Sequence, residues 1–587
     1  MKLLTFEHGG KEDWGVLYRN PDTGVDYVLL PDRAEKLIPA IATSTSSYTI
    51  NPPVFLGEDW PDSLAGFLAL EERGMATLQR LYDFFSDFLT NQDSYMVERC
   101  ALPLSQVKIK APIPQPRLVW GLVQNTPSFV RNQPGRIHSN HYPQGHQRPM
   151  TCVVGMGEEV LLSPRATRVG YNVELGVVIG KKGREIPAHL AHEYVAGFTN
   201  VLDITPDDVN LDYDRESPRV GKKDFFIDAT ASWGSKKMDT NSPMGPYLVT
   251  RDEVPNPYNL LAYTKMNGMV RDRAHTSAQL LGYERTIAFY SSFATLYPGD
   301  IIHLGTVGVD GMTYTLDGAR EGDTFGGEFE RLGELTVPMR RLAPGDDRVA
   351  PVVGDLIRRQ QDALPSPKAF AVSEVRNFFV SYGNYKGSEA VEGLVCVDDV
   401  PRFLNHPGSA LTAGDEAVRL PRIATDLAVS AELCCVVGKV ARHVPPEQAG
   451  EYILGYSPMA AVTDRSLVQS IIEPATAQER SLPLVYGRWG DGYNRMLAHP
   501  IPLSRSPRDV VSLEIDGAGS LEVDWSEYIC GCEALLSTIS RYITLLPGDV
   551  LSLGRTAQQL IVPADHKEIT GRVASPTLGT VTFRLKR

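Results

Sequence analysis

The sequence predicts a β-rich α+β protein in which one domain occurs twice and the two copies pack as a pseudo-dimer within a single chain. Two observations carry this. The first is an internal repeat: VELGVVIGK (173–181) is matched by AELCCVVGK (431–439), and LYPGDIIHLG (296–305) by LLPGDVLSLG (545–554). The same spacing separates Glu174 from Gly197-Phe198 and Glu432 from Gly455-Tyr456, and VWGLVQN (119–125) matches FVSYGNY (379–385) more loosely. Matched segments in one order along the chain point to duplication. The second is the character of the segments. LGVVIG, DIIHLG, LCCVVG and DVLSLG are short runs of Val, Ile, Leu and Cys bounded by Gly, Pro and Asp, which is how strands are punctuated.

Residues 1–110 have no second copy and form an N-terminal segment or small domain holding the longest helical pattern, at 63–90. PLSQVKIKAPIPQPRL (103–118) reads as an extended strap, because its prolines exclude a helix. The first copy then spans 111–350 and the second 371–587, joined by a linker at 351–370 in a Pro- and charge-rich stretch. Each copy has one further helical pattern, at 286–296 and 534–546. Asn267-Gly268 predicts a tight hairpin turn, since both residues tolerate the positive φ that such turns require.

Composition narrows the function. Of 587 residues 42% are hydrophobic and 22% charged, the balance of a folded globular chain. The net charge of −13 argues against nucleic acid, whose phosphates need a basic face. No run approaches the roughly 18 apolar residues of a membrane helix. Glu7 and His8 interrupt the start before a signal-peptide apolar region could form, so a cytoplasmic protein is expected. Seven cysteines are sparse and odd in number; Cys434-Cys435 and Cys530-Gly-Cys532 lack zinc or redox spacing and read as buried thiols.

Asn172 and Glu174 stand at i and i+2 of a predicted strand and therefore share a face. Asp203 follows in a second such segment, GFTNVLDIT (197–205). Two carboxylates and an amide oxygen suit a hard cation such as Mg²⁺ or Mn²⁺. The same pattern also describes the solvated face of a strand, and spacing alone does not separate the two.

VELGVVIGK, GFTNVLDIT, SKKMDTNSPMGPYLV (235–249), MNG and LYPGDIIHLGTVG (296–308) together resemble the fumarylacetoacetate hydrolase family. The duplicated layout is similar to that of a tandem decarboxylase/isomerase. The resemblance implies β-roll or sandwich copies, Mg²⁺ or Mn²⁺ held by an E-x-E pair and a later Asp, and a 2-oxo acid or 1,3-dicarbonyl substrate. On this sequence the metal ligands fall on Asn172, which departs from the family Glu, and on Glu174 and Asp203. The active-site lysine falls on Lys236, and Asp239 and Thr306 fall at substrate-binding positions. The family's acid/base histidine falls on Phe129, which puts water activation in doubt. His138, His141 and His146 follow in a Gly/Pro-containing segment and are the candidates for replacing it as a proton relay.

In the second copy Ser430 and Ala461 stand where Asn172 and Asp203 stand in the first, Arg488 falls near the Lys236 position, and Arg555 replaces Thr306. That copy is expected to be structural, taking the place of a second subunit, with further homo-oligomerisation possible. Three readings follow: metal-dependent C–C bond hydrolysis through a stabilised enolate, decarboxylation or keto–enol isomerisation of the same substrates, and a non-catalytic binding or scaffold role.

Overall fold

The computed structural model describes residues 1–44, 55–91, 94–123, 125–127, 143–164, 166, 168–206, 236–308, 313, 315, 319–343, 345–388, 401–467, 485–564 and 567–587. Each copy places a long, highly buried sheet against a smaller five-stranded one. In the first copy the long sheet is centred on the antiparallel pair Val169–Ile179 and Val195–Pro206. Every residue of both strands is buried. That explains their near-continuous apolar runs, because both faces are covered and strict alternation has no function. Next to this pair stand Ile301–His303, then Val119–Leu122, then Gly145–Arg148. The second copy repeats the order with Leu427–Val437 and Ile453–Asp464, followed by Val550–Ser552, Asn377–Tyr382 and Arg402–Pro407.

The register of the central pairs ties the copies together. Asn172 lies opposite Asp203, and Ser430 lies opposite Ala461. Both pairs of strands slip by a β-bulge at the same place, after Val178 and after Val436.

The N-terminal segment is built into the first copy. Strand Lys2–His8 pairs with Ser242–Thr250 through Lys2↔Val249 and Leu3↔Leu248, and carries Lys11–Arg19, Asp26–Leu29 and Ala101–Pro103 onto the same sheet. The helical pattern at 63–90 divides into Leu64–Leu68, capped by Ser63, and Glu71–Asn91. The break falls where Glu71 takes φ 53°. The helices of the two copies are Tyr283–Ser291 and Cys532–Ser540, each starting and ending before its predicted span. The chain leaves both helices early to form bridges, Gly183↔Leu296 and Ala441↔Leu545. Asn267 and Gly268, at φ 52° and 72°, make the expected hairpin turn.

The copies share a core. Trp120, Phe289, Tyr290 and Phe293 of the first pack with Tyr486 and Trp489 of the second. Two polar contacts repeat across the boundary with the roles exchanged. Asp239 accepts hydrogen bonds from the backbone N–H (3.1 Å) and hydroxyl of Thr544, and Asp491 accepts them from the N–H (3.0 Å) and hydroxyl of Thr295. Reciprocity of this kind marks an isologous, pseudo-twofold interface. No helix among the described residues is long and apolar enough to cross a membrane.

Candidate functional site

The first copy gathers a charged cluster on one face of its central strand pair. Glu174 and Asp203 are 1% and 3% exposed. Their partners come from neighbouring elements. Arg148 ends the strand Gly145–Arg148, and its guanidinium meets one oxygen of Asp203. It is fixed by Ser242 Oγ at 2.6 Å and the Asn241 carbonyl at 3.2 Å. Lys236 donates to the other oxygen of Asp203 and to Thr205 Oγ1 at 2.7 Å. Burial alone would raise the Asp203 pKa, but Lys236 and Arg148 outweigh it and hold the carboxyl well below its usual range. Burial lowers the Lys236 pKa, an effect Asp203 opposes.

Glu174 has a separate pair of partners. His303 Nδ1 meets one oxygen, and the Thr306 hydroxyl donates to the other at 3.0 Å. The imidazole fits because His303 is flanked across both strand neighbours by glycine, Gly176 and Gly121. A Cβ on Gly121 would stand 2.1 Å from the ring. In the second copy Ser552 occupies this position between Cys434 and Val380, so the larger neighbours go with the smaller side chain.

Of the sequence-predicted residues, Glu174, Asp203, Lys236, Thr306 and His146 come together. His146 Nε2 accepts from Arg148 Nε at 3.2 Å, and burial, reinforced by Arg148 and Lys236, pushes its pKa well down, so the ring is neutral. Asn172 and Asp239 are engaged elsewhere: the Asn172 amide bonds both the backbone N–H (2.7 Å) and the hydroxyl of Thr313, and Asp239 joins the copies through Thr544. His138, His141 and Phe129 lie outside the described residues. Sequence reasoning missed Arg148 and His303. The signal available was a cation or imidazole inside an otherwise strand-like buried segment, GHQRP and DIIHLG.

The donor set does not fit the expected Mg²⁺ or Mn²⁺. Asn172 is bound to Thr313 and both Asp203 oxygens face cations, so two of the three expected ligands are committed to other partners. Among the described residues no three His, Cys, Asp or Glu side chains converge on a metal-sized site. The physical reason is charge. Two buried carboxylates are already offset by two buried cations, and a further double charge in this low-dielectric core would be uncompensated.

The second copy keeps one carboxylate. Glu432 accepts from Ser430 Oγ (2.7 Å), Ser552 Oγ (2.6 Å) and Arg488 (2.8 Å). Tyr486, beside Arg488, reaches back into the first copy: its hydroxyl accepts from the N–H of Gly145 (2.8 Å) and donates to that residue's carbonyl (3.0 Å). The second copy thereby holds the strand that carries His146 and Arg148.

The chain is 34% identical to the rat (Rattus norvegicus) protein named oxaloacetate tautomerase Fahd2a, mitochondrial, over 235 residues, 40% of this chain and 70% of the relative. It is 36% identical to the maleylpyruvate hydrolase of Aquipseudomonas alcaligenes over 195 residues, 33% of this chain and 58% of the relative. Among solved structures it is similar to the maleylpyruvate hydrolase of Sphingobium sp. SYK-6 in complex with manganese (II) ion and pyruvate, at 22% identity and TM-score 0.37, covering 58% of this chain and 100% of that one. The family model for the fumarylacetoacetate (FAA) hydrolase C-terminal domain matches residues 119–340 and again 378–585. The chain therefore belongs to the fumarylacetoacetate hydrolase family and carries the family's domain twice.

Proposed function

We propose that the first copy interconverts the keto and enol forms of a 2-oxo acid. The observation that carries this is the buried cluster in which Lys236 and Arg148 flank Asp203 while His303 and Thr306 hold Glu174. Tautomerisation needs a base for a C–H proton, a positive charge beside the forming enolate oxygen, and a route for the proton to that oxygen. Glu174 takes the proton from the carbon next to the oxo group. The Lys236 ammonium stabilises the oxyanion in a water-excluded setting, where such charges act most strongly. The His303–Glu174 pair returns the proton to oxygen, so atoms and charge balance with no co-reactant. Hydrolysis asks for more, namely an activated water, and the family's base position reads Phe129 here. The likeness to proteins named oxaloacetate tautomerase supports the same reading.

C–C bond hydrolysis is the second reading, favoured by the 36% identity to a maleylpyruvate hydrolase. Decarboxylation would pass through the same enolate. The test uses the purified full chain and enol-oxaloacetate, following loss of enol absorbance, with acylpyruvates assayed in parallel for cleavage. Acceleration of enol loss is expected without added Mg²⁺ or Mn²⁺ and in the presence of EDTA. Lys236→Met and Glu174→Gln should each lower kcat by roughly 10²-fold or more. Cleavage without tautomerisation would establish the second reading, and activity appearing only with the metal would restore the ligand set implied by the resemblance. No turnover of any 2-oxo acid would leave a binding role.

A further inference from the structure

The two copies differ at the start of their equivalent helices. In the first, Tyr258 stacks on Tyr283 with ring centroids 5.9 Å apart and planes within 10°. The Tyr258 hydroxyl accepts from the Tyr283 N–H at 3.0 Å and bonds the Glu284 carboxylate. In the second copy the same two bonds are made by a serine. Ser506 Oγ accepts from the Cys532 N–H at 3.1 Å and donates to Glu533 at 2.7 Å. Hydrogen bonding is conserved between the copies while two stacked phenol rings are replaced by a hydroxymethyl and a thiol.

Ser506 and Glu533 line a cavity of about 810 Å³, within the range of small-molecule sites. Its walls include Leu433, Leu553, Trp525 and Tyr528, with Arg505 and Arg508 at the mouth. Leu433 follows Glu432 on the strand and points to the opposite face, so the cavity lies behind the sheet from the second copy's polar cluster. Both aromatic walls are pinned. Trp525 Nε1 donates to the Ala431 carbonyl at 3.2 Å, and the Tyr528 hydroxyl donates to the Gly554 carbonyl at 2.8 Å. A site built from fixed rings loses little side-chain freedom on binding.

Charge selects the ligand. The two lining carboxylates are saturated by the protein itself: Glu533 accepts from Tyr456, from the Ser506 N–H and from Ser506 Oγ, and Asp509 from Ser575 and from both the N–H and hydroxyl of Thr577. Arg505 and Arg508 are exposed and form no ion pair among the described residues. Guanidinium groups match carboxylates in a planar, two-pronged geometry. We propose that the second copy binds a small aromatic carboxylate here, its ring between Trp525 and Tyr528 and its carboxylate against Arg505 and Arg508.

The experiment is isothermal titration of the full chain with 1-naphthoate and, as the uncharged match, 1-naphthamide. Saturable one-to-one binding of the carboxylate is expected, with the amide weaker by about tenfold or more. The double variant Arg505→Glu/Arg508→Glu, on exposed positions, should weaken naphthoate by a similar factor, and Ala534→Trp, which fills the cavity, should abolish binding. Lys236→Met in the first copy should leave it unchanged. Absence of saturable binding, equal affinity for the amide, or binding lost in Lys236→Met but kept in the arginine variant would each overturn the proposal.

Discussion

His303 shows how one side chain depends on what its neighbours lack. Its ring lies against Gly121, and Gly121→Ala would drive a methyl group into it. We expect that substitution to cost about 1–3 kcal/mol, as overpacking in a close-packed core does. It should also abolish tautomerisation by moving His303 off Glu174. The double variant Gly121→Ala/His303→Ser should recover stability in chemical denaturation without recovering activity, because the second copy already tolerates Ser552 beside Val380. Asp300 gives a pH-dependent test. Burial raises its pKa to about 7, so the native state keeps a proton that the unfolded chain releases near 3.9. Its contribution is therefore complete below about pH 4 and lost as pH rises toward 7, at up to about 1.4 kcal/mol per pH unit. Asp300→Asn carries no such proton. Its urea midpoint relative to the parent should rise between pH 5 and pH 8, and a constant difference would contradict the assignment.

At the scale of elements, the strand Gly145–Arg148 is an edge of the long sheet and carries His146 and Arg148 into the cluster. Edge strands are held from one side only. The Tyr486 hydroxyl supplies the missing side by bonding both backbone groups of Gly145. Tyr486→Phe removes both bonds and leaves the ring packing in place. We expect a loss of about 1–3 kcal/mol for the two bonds, given that each is typically worth about 0.5–1.5 kcal/mol. The same variant should reduce kcat, since Arg148 would be less firmly placed against Asp203. Unchanged kinetics would mean that the strand holds its position without the second copy.

For the whole molecule, the decisive feature is the shared aromatic core between the copies, built from Trp120, Phe289, Tyr290 and Phe293 on one side and Tyr486 and Trp489 on the other. Residues 1–350 expressed alone would expose the first set. That fragment should self-associate in light scattering and lose activity, because it also lacks Tyr486. A monodisperse, fully active monomer would show that the second copy is dispensable for the site. The mirrored contacts of Asp239 with Thr544 and of Asp491 with Thr295 add a reciprocal polar pair to that aromatic boundary.

The sequence by itself determined the duplication, the β-rich class and the alignment of Glu174 with Glu432, because matched segments in order and buried strand runs are local properties of the chain. Even the Ser430–Ala461 pairing was legible, since register follows from spacing on two strands. Only the tertiary structure decided which groups those carboxylates meet. Arg148 and Lys236 reach Asp203 from separate segments, and His303 reaches Glu174 from a neighbouring strand. Asp239 left the expected site for Thr544 in the other copy, and the N-terminal strands joined the first copy's sheet instead of standing apart. The reason is the same in each case. Periodicity and spacing report which face a residue occupies, whereas a buried charge is satisfied by whatever opposite charge the packing of distant segments brings within a few ångströms, and backbone edges pair with no sequence label at all.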